Sequence, residues 1–450
     1  MKQMNNPYKL AYHIEPATGL LNDPNGLIKF KDTFYFFHQW NRFSTDHSYK
    51  EWGLFTSNDM VHWSNHGSAI IPDRDIDMNG VYSGSAVEHD EKMYLYYTGN
   101  VKKDMKRKSY QCISISEDGR TFIKQANAIE TPDEYTENFR DPKVWKGTKN
   151  WWMIVGAQTK ELKGAVALFS SENLLEWNYE NILHDVGLDN MCECPDLISI
   201  NEDIDILLCC PQKIAEVGST TQVSSYSAFL AGKFNEDSQS FHTDMYLELM
   251  DQGFDFYAPQ TFMDNQGRRI VVAWMSRMTD EEELLCPTNK LFNYLHCLTL
   301  PRVLTWEDNM LKQKPITELK KLRKKKEQYD LPENTFELES GHFEIHLIRT
   351  HTHSDFDIQL RNKAITINYN SKNQVLFVER ENWVSHKREY KSKQVNQLKS
   401  LQLYSDNSTI EIFINDGESV FSMRYFTQED DLTVHYKGLK QGEILNYFPF

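Results

Sequence analysis

The chain has 450 residues, 40% of them hydrophobic, which is enough to fill two large domain cores. It carries 49 lysine and arginine residues against 65 aspartate and glutamate residues, a formal net charge of −16. So negative a charge argues against nonspecific binding to nucleic acid or to anionic membranes, and no run of residues approaches the ~18 apolar residues of a membrane-spanning helix. The expected partner is therefore a small molecule.

The amino-terminal residues MKQMNNPYKLAYHIEP lack the apolar segment of a signal peptide, which predicts a cytoplasmic protein. The seven cysteines agree with this prediction, because an odd count with adjacent and near-adjacent pairs makes a poor disulfide framework. Metal ligation by Cys192 and Cys194 is an alternative, but no second paired cluster stands at zinc-finger spacing. Buried, reduced thiols are the favoured interpretation.

One pattern recurs five times in the first 300 residues: a polar strand start, a strand, a turn and a second hydrophobic strand. The strand starts are marked by Pro24, Gly84, Pro142, Pro195 and Pro259, at intervals of 53 to 64 residues. A drifting period of this size fits the blades of a propeller, which run to roughly 40–50 residues and tolerate loop insertions. The repeats therefore predict a five-bladed β-propeller, which we assign to residues 1–305.

A second repeat lies out of phase with the first and consists of Ser, then Asp or Asn, then an aromatic residue. Its copies are Ser57, Asp59 and Trp63, then Ser116, Asp118 and Phe122, then Ser171, Asn173 and Trp177. Such residues suit a turn capped by its own side chains, with the ring packed against the blade. Chance recurrence of common turn residues is the alternative, but shared spacing and order favour a structural repeat.

The sequence changes character after Arg302, and we assign residues 306–332 to a linker. Within it, KPITELKKLRKKKEQY (314–329) predicts a short helix with Leu319 and Leu322 on one side and many basic residues around them. A patch that binds anions or nucleic acid is one interpretation of these charges. A solvated linker surface is favoured in so acidic a chain.

Residues 333–450 are predicted to form a β-sandwich, because their hydrophobic period becomes two. Ile410, Ile412 and Ile414 alternate in this way before a hairpin turn at residues 415–417. Four histidines at positions 342, 346, 351 and 353 resemble a metal site. Strand geometry divides them between two faces without a carboxylate to complete the ligand set, so we predict no metal. The chain therefore reads as all-β, a propeller followed by a sandwich.

Acidic residues occupy equivalent strand starts in the first, third and fourth repeats: Asp23, Asp141 and Glu193. The innermost strand of each blade lines the axis of a propeller, so these acids are expected to meet in one pocket. Three carboxylates that meet repel one another and raise at least one pKa, which points to chemistry or to a bound cation. Calcium is the rival explanation, but none of these acids lies in an Asp-rich loop of the EF-hand kind.

Paired carboxylates that flank a bond are the usual equipment for glycoside hydrolysis. Aromatic residues that can stack on sugar rings lie beside the strand starts: Trp40, Trp52, Tyr82, Tyr257 and Trp274. Packing within the blades is the alternative role for each of them. Together, the acids and the aromatic residues favour a sugar as the small-molecule partner.

Seven short runs along the chain, in order, resemble the signature blocks of glycoside hydrolase family 32, which contains invertases, fructanases and sucrose-6-phosphate hydrolases. The runs are LLNDPNG (20–26), HQWN (38–41), YSGS (82–85), FRDP (139–142), ECPDL (193–197), DFYAPQTF (255–262) and CLTLPR (297–302). The resemblance implies a five-bladed propeller followed by a β-sandwich. It further implies that Asp23 is the nucleophile, Glu193 the general acid/base and Asp141 the transition-state stabiliser of a retaining mechanism.

The same resemblance places five residues in the fructosyl subsite: Asn22, Gln39, Tyr82, Ser83 and Arg140. Trp40, Tyr257 and Trp274 are further candidates for sugar contact. No nucleotide-binding loop and no zinc helix is present in the sequence, so we expect no cofactor. The assembly is left open, with a homodimer as one candidate.

Sucrose 6-phosphate is the expected substrate, with sucrose itself as a second. His47 stands where invertases of the family often carry tryptophan, and residues 286–302 resemble the closing block of the bacterial sucrose-6-phosphate hydrolases. His47 and Lys50 are candidates to contact the phosphate, although both also suit an ordinary surface. A fructan hydrolase and a fructoside-binding propeller without catalysis are the alternative functions.

Overall fold

The computed structural model describes residues 5–104, 106–217, 220–329, 334–428 and 430–450, and almost all of its regular structure is β-strand. The chain forms two compact units. The propeller unit comprises Gly19–Met250 and Tyr257–Trp274, and the sandwich unit comprises Met1–Thr18, Asp251–Phe256 and Met275–Phe450. Each unit therefore has its own core, which is described separately below.

The propeller unit contains antiparallel sheets whose strands follow one another in chain order. The first three blades are β1 (Gly19–Phe30), β2 (Thr33–Asn41), β3 (Glu51–Ser57) and β4 (Ser64–Ile70); β5 (Val81–His89), β6 (Lys92–Lys103), β7 (Lys106–Ser116) and β8 (Ile123–Glu130); and β9 (Tyr135–Lys146), β10 (Trp151–Thr159), β11 (Gly164–Ser171) and β12 (Asn178–His184). The fourth blade is β13 (Met191–Ser199), β14 (Asp205–Val217), β15 (Thr220–Ser225), β16 (Ala228–Asn235), β17 (Ser240–His242) and β18 (Glu248–Leu249). The fifth contributes β19 (Tyr257–Met263) and β20 (Arg269–Trp274) to this unit.

The first strands of the five blades form a closed ring. β1 contacts β5, β5 contacts β9, β9 contacts β13, β13 contacts β19, and β19 contacts β1. The hydrophobic cores lie between neighbouring blades; one of them is built from Phe37, Trp52 and Leu54 of the first blade with Leu95 and Tyr97 of the second. The five-bladed propeller predicted from the repeats is therefore confirmed.

A β-bulge interrupts each of the five first strands at the same level. The regular pairing with the second strand breaks between residues 21 and 24 in β1, 81 and 84 in β5, 140 and 143 in β9, 193 and 196 in β13, and 257 and 260 in β19. A bulge leaves residues without a ladder partner and changes the direction of their side chains. Of the markers of the repeats, Pro142, Pro195 and Pro259 lie inside these bulges, whereas Pro24 and Gly84 are the first paired residues after them.

The second repeat forms capped turns, as predicted. The hydroxyl of Ser57 accepts hydrogen bonds from the backbone N–H of Asp59 at 3.1 Å and of Met60 at 2.8 Å. Ser171 accepts both equivalent bonds, and Ser116 accepts the second of them, from the N–H of Gly119 at 2.9 Å. The aromatic residue that follows each turn packs on the blade, as Trp63 does on Phe36 at 4.6 Å between ring centroids. These residues stabilise the scaffold.

The sandwich unit contains two six-stranded antiparallel sheets, in the orders β24-β35-β26-β31-β32-β33 and β25-β34-β27-β28-β29-β30. The helices of this unit are α1 (Asp280–Leu285), α2 (Pro287–Phe292) and two 3-10 turns (Thr317–Leu322 and Asn415–Gly417). Its strands are β21 (Tyr294–Leu295), β22 (Arg302–Glu307), β23 (Met310–Pro315), β24 (Glu327–Tyr329), β25 (Thr335–Glu337), β26 (His342–Ile348), β27 (Phe356–Leu360), β28 (Ile365–Asn370), β29 (Val375–Glu381), β30 (Arg388–Gln394), β31 (Ser400–Asp406), β32 (Thr409–Ile414), β33 (Ser419–Arg424), β34 (Thr433–Lys437) and β35 (Ile444–Pro449).

The core of the sandwich lies between these two sheets and follows the alternation seen in the sequence. Ile410, Ile412 and Ile414 are buried, together with Phe343 and Ile358 from the other strands. The hairpin predicted at residues 415–417 joins β32 to β33 through a 3-10 turn. The predicted β-sandwich is confirmed.

Of the predicted helix at 314–329, only Thr317–Leu322 is helical, as a short 3-10 helix with Leu319 buried, and the two ends belong to β23 and β24. The domain boundaries at 305/306 and 332/333 stay predictions, and the second falls at residues 330–333, outside the described part of the chain. All seven cysteines are buried and unpaired with one another, as expected. Among the described residues, no helix has the length and apolar character needed to cross a bilayer.

Candidate active site

The bulges of β1, β9 and β13 bring the three predicted acids together. Asp23 and Asp141 lie inside their bulges, directly before the proline, whereas Glu193 lies one residue earlier in its strand. The thiol of Cys194 lies 3.8 Å from Asp23 Oδ2 and 3.6 Å from Asp141 Oδ2. Arg140 connects the third acid, with Nη2 2.7 Å from Glu193 Oε1 and Nε 4.0 Å from Asp141 Oδ2. The three carboxylates therefore share one cluster.

Asp23 is held by a chain of hydrogen bonds through three uncharged side chains. Ser83 Oγ donates to Asp23 Oδ2 at 2.5 Å, and Asn22 Nδ2 donates to Oδ1 at 3.2 Å. Gln39 accepts from Asn22 Nδ2 at 2.6 Å and donates to Ser83 Oγ at 2.6 Å. Asn22, Gln39 and Ser83 are all buried, so the orientation of the Asp23 carboxylate is fixed before any ligand binds.

Lys50 fixes which groups donate and which accept in this chain of hydrogen bonds. Its ammonium, on a buried side chain, donates to Asn22 Oδ1 at 2.6 Å. Because an ammonium can only donate, the amide nitrogen of Asn22 must face Asp23 and Gln39, and each later donor is fixed in turn. The same ammonium lies 3.0 Å from His47 Nδ1, which must then accept and leaves the imidazole proton on Nε2.

Glu193 accepts hydrogen bonds on both oxygens. Arg140 donates to Oε1 from Nη2 at 2.7 Å and from Nε at 3.3 Å. Gln212 Nε2 donates to Oε2 at 2.6 Å, and the hydroxyl of Tyr257 donates to the same oxygen at 2.5 Å. This set of donors suits an ionised carboxylate. The nearby carboxylates of Glu193 and Asp141 hold the pKa of Arg140 above its usual value, although burial acts in the opposite direction.

Asp141 has an unusual backbone conformation and a strongly raised pKa. Its backbone lies in the left-handed region with φ 71°, and its N–H donates to Thr98 Oγ1 at 2.9 Å. Burial raises the pKa of Asp141 to about 7, the charges of Glu193 and Asp23 add to the rise, and Arg140 opposes it. Burial also raises the pKa of Asp23, against the hydrogen bond from Ser83. A buried group of like charges is an arrangement typical of catalytic sites.

The predicted aromatic residues have different surroundings. The ring of Tyr257 lies 6.3 Å from that of Trp274, which lies 6.1 Å from the ring of His47. The hydroxyl of Tyr82 accepts a hydrogen bond from Asn100 Nδ2 at 3.3 Å. The guanidinium of Arg107 lies over the Tyr82 ring, 5.4 Å from its centre. Tyr257, Trp274 and His47 thus form one row that begins at Glu193.

The two remaining aromatic residues, Trp40 and Trp52, lie in the first blade and contribute to its packing. Trp40 is half-buried and packs at 6.3 Å on His38, in a strand position opposite Leu21. Trp52 is fully buried between blades, and its Nε1 donates to the Tyr82 carbonyl at 2.9 Å. Trp52 therefore packs the blade, which is the alternative role considered for these residues.

Several residues of the cluster were not anticipated from the sequence, namely Gln212, Cys194 and Thr98. Gln212 lies in β14, two residues beyond the partner of Glu193 in the ladder, Cys210. Residues two apart in a strand share a face, so the hairpin pattern contained a signal for Gln212. Thr98 lies 43 positions from Asp141, and no local pattern connects them.

The acids do not form a typical cation site. Their oxygens already accept protein donors: Asp23 from Ser83 and Asn22, Asp141 from the Cys194 N–H at 2.9 Å, and Glu193 from Arg140. A guanidinium in contact with two of the carboxylates would also repel a metal ion. The arrangement is suited to proton transfer and to nucleophilic attack by a carboxylate.

Comparison with known proteins covers nearly the whole chain. The model of the glycosyl hydrolases family 32 N-terminal domain matches residues 13–315, and that of the family's C-terminal domain matches residues 310–444. A sucrose-6-phosphate hydrolase of Bacillus subtilis (strain 168) is 39% identical over 440 residues, which are 93% of this chain and 89% of the relative.

Solved structures agree with these matches. The sucrose-6-phosphate hydrolase of Lactobacillus gasseri superposes with a TM-score of 0.88 at 28% identity, covering 99% of this chain and 94% of the other. A mutant family 32 β-fructofuranosidase of Bombyx mori, in complex with sucrose, gives a TM-score of 0.83 at 25% identity, with the same coverage. Together with the propeller, the sandwich and the clustered acids, these matches establish that the chain belongs to glycosyl hydrolases family 32 and is a glycoside hydrolase.

Proposed function

We propose that the protein is a retaining β-fructofuranosidase that hydrolyses sucrose 6-phosphate, and also sucrose, by double displacement. The observation that carries the proposal is the single cluster of Asp23, Asp141 and Glu193, linked by Arg140 and Cys194. The names of the relatives from Bacillus subtilis and Lactobacillus gasseri supply the substrate class.

In the first half of the reaction, Asp23 attacks the anomeric carbon of the fructofuranosyl ring. Glu193 donates its proton to the glycosidic oxygen, the bond from that oxygen to the anomeric carbon breaks, and glucose 6-phosphate leaves. A covalent fructosyl ester on Asp23 is the product. The hydrogen bonds from Ser83 and Asn22 hold the Asp23 carboxylate in position for this attack.

In the second half, Glu193 removes a proton from water, which attacks the same carbon and releases fructose with retained configuration. Retention requires the carboxyl groups of Asp23 and Glu193 to lie about 5–5.5 Å apart. The donors on both oxygens of Glu193 fit the ionised form needed in this step. The Tyr257 hydroxyl can turn from donor to acceptor when Oε2 carries a proton, so it serves both protonation states.

We assign to Asp141 the role of binding the ring hydroxyls of the fructosyl group through hydrogen bonds. Its hydrogen bonds to them strengthen as positive charge develops on the ring, and Arg140 favours its ionised form. Asn22, Gln39, Ser83, Tyr82 and Trp40 are assigned to the same subsite. A bound substrate displaces some of the contacts among these side chains, so the cluster also works as a prearranged set of donors and acceptors.

The row of His47, Trp274 and Tyr257 is assigned to the leaving group, with His47 nearest the phosphate. The imidazole Nε2–H of His47 and the positive charge of Lys50 behind it suit a phosphate oxygen. We also propose a cytoplasmic location, because a phosphorylated disaccharide is charged and does not cross a bilayer unaided. Self-association as a homodimer stays a prediction.

Rates on sucrose and on its 6-phosphate ester, measured side by side, test this proposal. We expect kcat/KM to be at least tenfold higher for the ester, and His47→Gln to reduce that preference through KM about tenfold, the equivalent of about 1.4 kcal/mol. His62→Gln, an exposed histidine of the same blade, is the matched control. Equal values for the two sugars, or faster release of fructose from inulin or levan, would contradict the substrate assignment and favour a fructan hydrolase.

A further inference from the structure

The ring of first strands has a cavity of about 640 Å³ at the end opposite to the acids. All five first strands line it with their final residues, including Lys29 of β1, Glu88 of β5, Lys146 of β9, Ser199 of β13 and Met263 of β19. Lys29 lies six positions beyond Asp23, about 20 Å along an extended strand. This cavity is therefore separate from the active site, and nothing in the reaction described above uses it.

A buried contact joins the first strands of three blades between the acids and this cavity. Lys143 Nζ donates to Asp196 Oδ2 at 2.8 Å and to the Thr261 carbonyl at 2.6 Å. Asp196 also accepts from the backbone N–H of Thr261 at 2.7 Å. Lys143 and Thr261 also line the cavity, so this contact lies against its wall.

The cavity is basic in a chain of net charge −16. Its charged residues are Lys29, Lys143, Lys146, Lys233 and Arg269, against Glu88, Asp205 and Glu236. Glu236 accepts from the N–H of Thr148 at 2.9 Å, and Asp205 accepts from the N–H of Phe234 at 2.9 Å and pairs with Lys233 at 3.5 Å. In the part of the chain that the structure describes, Lys29, Lys146 and Arg269 form no ion pair.

Aromatic and apolar side chains share the lining with these cations. They are Trp145, Trp151, Phe234, Phe262 and Met263, of which Met263 is 55% exposed. The ammonium of Lys146 lies 5.4 Å from the centre of the Trp151 ring, so a cation and a ring occupy one wall together. Cavities of about 300–1,000 Å³ with an apolar lining and a few charged groups are typical of sites for small molecules.

We propose that this cavity is a second binding site, for a small organic phosphate whose ring lies against the aromatic wall. Lys29, Lys146 and Arg269 provide the positive charge for the phosphate group. A sugar phosphate and a nucleoside monophosphate share this chemistry. The site is independent of the proposed hydrolysis, so either proposal can fail without the other.

Calorimetric titration of the full chain with AMP, glucose 6-phosphate and inorganic phosphate tests the site. We expect one organic phosphate to bind with a dissociation constant below about 1 mM and at least tenfold more tightly than inorganic phosphate. Tighter binding of AMP identifies a nucleotide site, and tighter binding of glucose 6-phosphate a sugar-phosphate site. Failure of both to bind, or binding no tighter than that of inorganic phosphate, would overturn the proposal.

The double variant Lys29→Met and Lys146→Met locates the binding. Methionine keeps the length of the apolar stem but removes the charge, so we expect at least a tenfold loss of affinity with unchanged circular dichroism and sucrose hydrolysis. Lys163→Met, an exposed lysine of the same propeller unit outside the cavity, is the matched control. Unchanged affinity in the double variant would place the ligand elsewhere, such as in the active site, and would also overturn the proposal.

Discussion

Each unit contains three acidic side chains close together, but the two clusters differ in how positive charge accompanies them. In the propeller unit, Arg140 bridges two of the acids of the active site. In the sandwich unit, Asp251, Asp406 and Glu411 contact Arg302, His13 and His342 in alternation. The distances are 3.1 Å for Arg302 with Asp251, 2.5 Å for Arg302 with Glu411, 2.9 Å for His13 with Asp406, 3.1 Å for His13 with Glu411 and 2.9 Å for His342 with Asp406.

The pKa directions reflect this difference. In the active site, burial raises the pKa of Asp23 and raises that of Asp141 to about 7. In the sandwich cluster, burial acts in the same direction, but hydrogen bonds from histidines hold the pKa of Asp406 well below its usual range. Its partners in turn raise the pKa of His13 to about 9, against burial. In the sandwich cluster each buried charge has a partner, so removing one partner is costly, whereas the unbalanced acids of the active site are typical of a catalytic site.

The largest effect expected is that of Asp23→Asn in the active site. We expect kcat to fall roughly 10⁴-fold, about 5.5 kcal/mol of transition-state free energy, because the amide cannot act as nucleophile. The free energy of unfolding should stay the same or rise, since burial already disfavours the Asp23 charge. Initial rates on sucrose and urea unfolding measure the two quantities, with exposed Asp32→Asn as control. A variant that keeps more than a tenth of the activity would contradict the assignment.

The next effect is that of Glu411→Gln in the sandwich cluster. It leaves Arg302 and His13 buried without their shared carboxylate, so we expect the free energy of unfolding to fall by about 3–5 kcal/mol. The control is Glu379→Gln, which removes a half-exposed ion pair with Arg388 and should cost less than about 1 kcal/mol. Urea unfolding of both variants at pH 7 checks the prediction. Similar losses in the two variants would show that the cluster contributes no special stability.

The smallest effect concerns the pH dependence of stability in Asp141→Asn. Folding raises the pKa of Asp141 from about 3.9 to about 7, so the folded protein binds more protons and loses stability as pH rises through this window. The variant lacks this loss. We expect its advantage over the wild type in free energy of unfolding to be absent at pH 4, to grow as pH rises through the window and to be complete at pH 8.

Asp406 in the sandwich cluster is expected to act with the opposite sign. Its folded pKa lies below the unfolded value, so its contribution to stability is present above pH ~4 and is lost on acidification. Urea unfolding from pH 3 to pH 8 on wild type and Asp141→Asn separates the two contributions. An Asp141→Asn variant with no gain at pH 8 would show that the acid is not destabilised in the fold.

The two units also differ in how much of their structure could be predicted from the sequence. The propeller was predictable because a proline or glycine, such as Pro24 and Gly84, recurs at or directly beside each bulge. The sandwich was predictable from the strict alternation of hydrophobic and polar residues along its strands. The sandwich cluster was not, since Arg302 and Glu411 lie 109 positions apart and each alone looks like an ordinary charged residue.

Within the active site, the acids were predictable and their supporting residues largely were not. Asp23 and Asp141 stand beside marker prolines, whereas Gln212 is recognised only once β13 and β14 are paired. Lys50 was considered for the phosphate, but its contact with Asn22 depends on the packing of two strands. The short helices α1 and α2 were not predicted, because six residues are too few to show a helical period.

The five bulges lie at one level, so each blade contributes its own residues to the active site. Each blade supplies one irregular position there, and its ladder resumes two or three residues later, so one position can change without disturbing the other four. The fifth blade places Ala258 at this level, with a left-handed backbone and no chemical group of its own. A substitution at Ala258 would therefore place a new side chain at the level of the acids while the other four blades keep theirs.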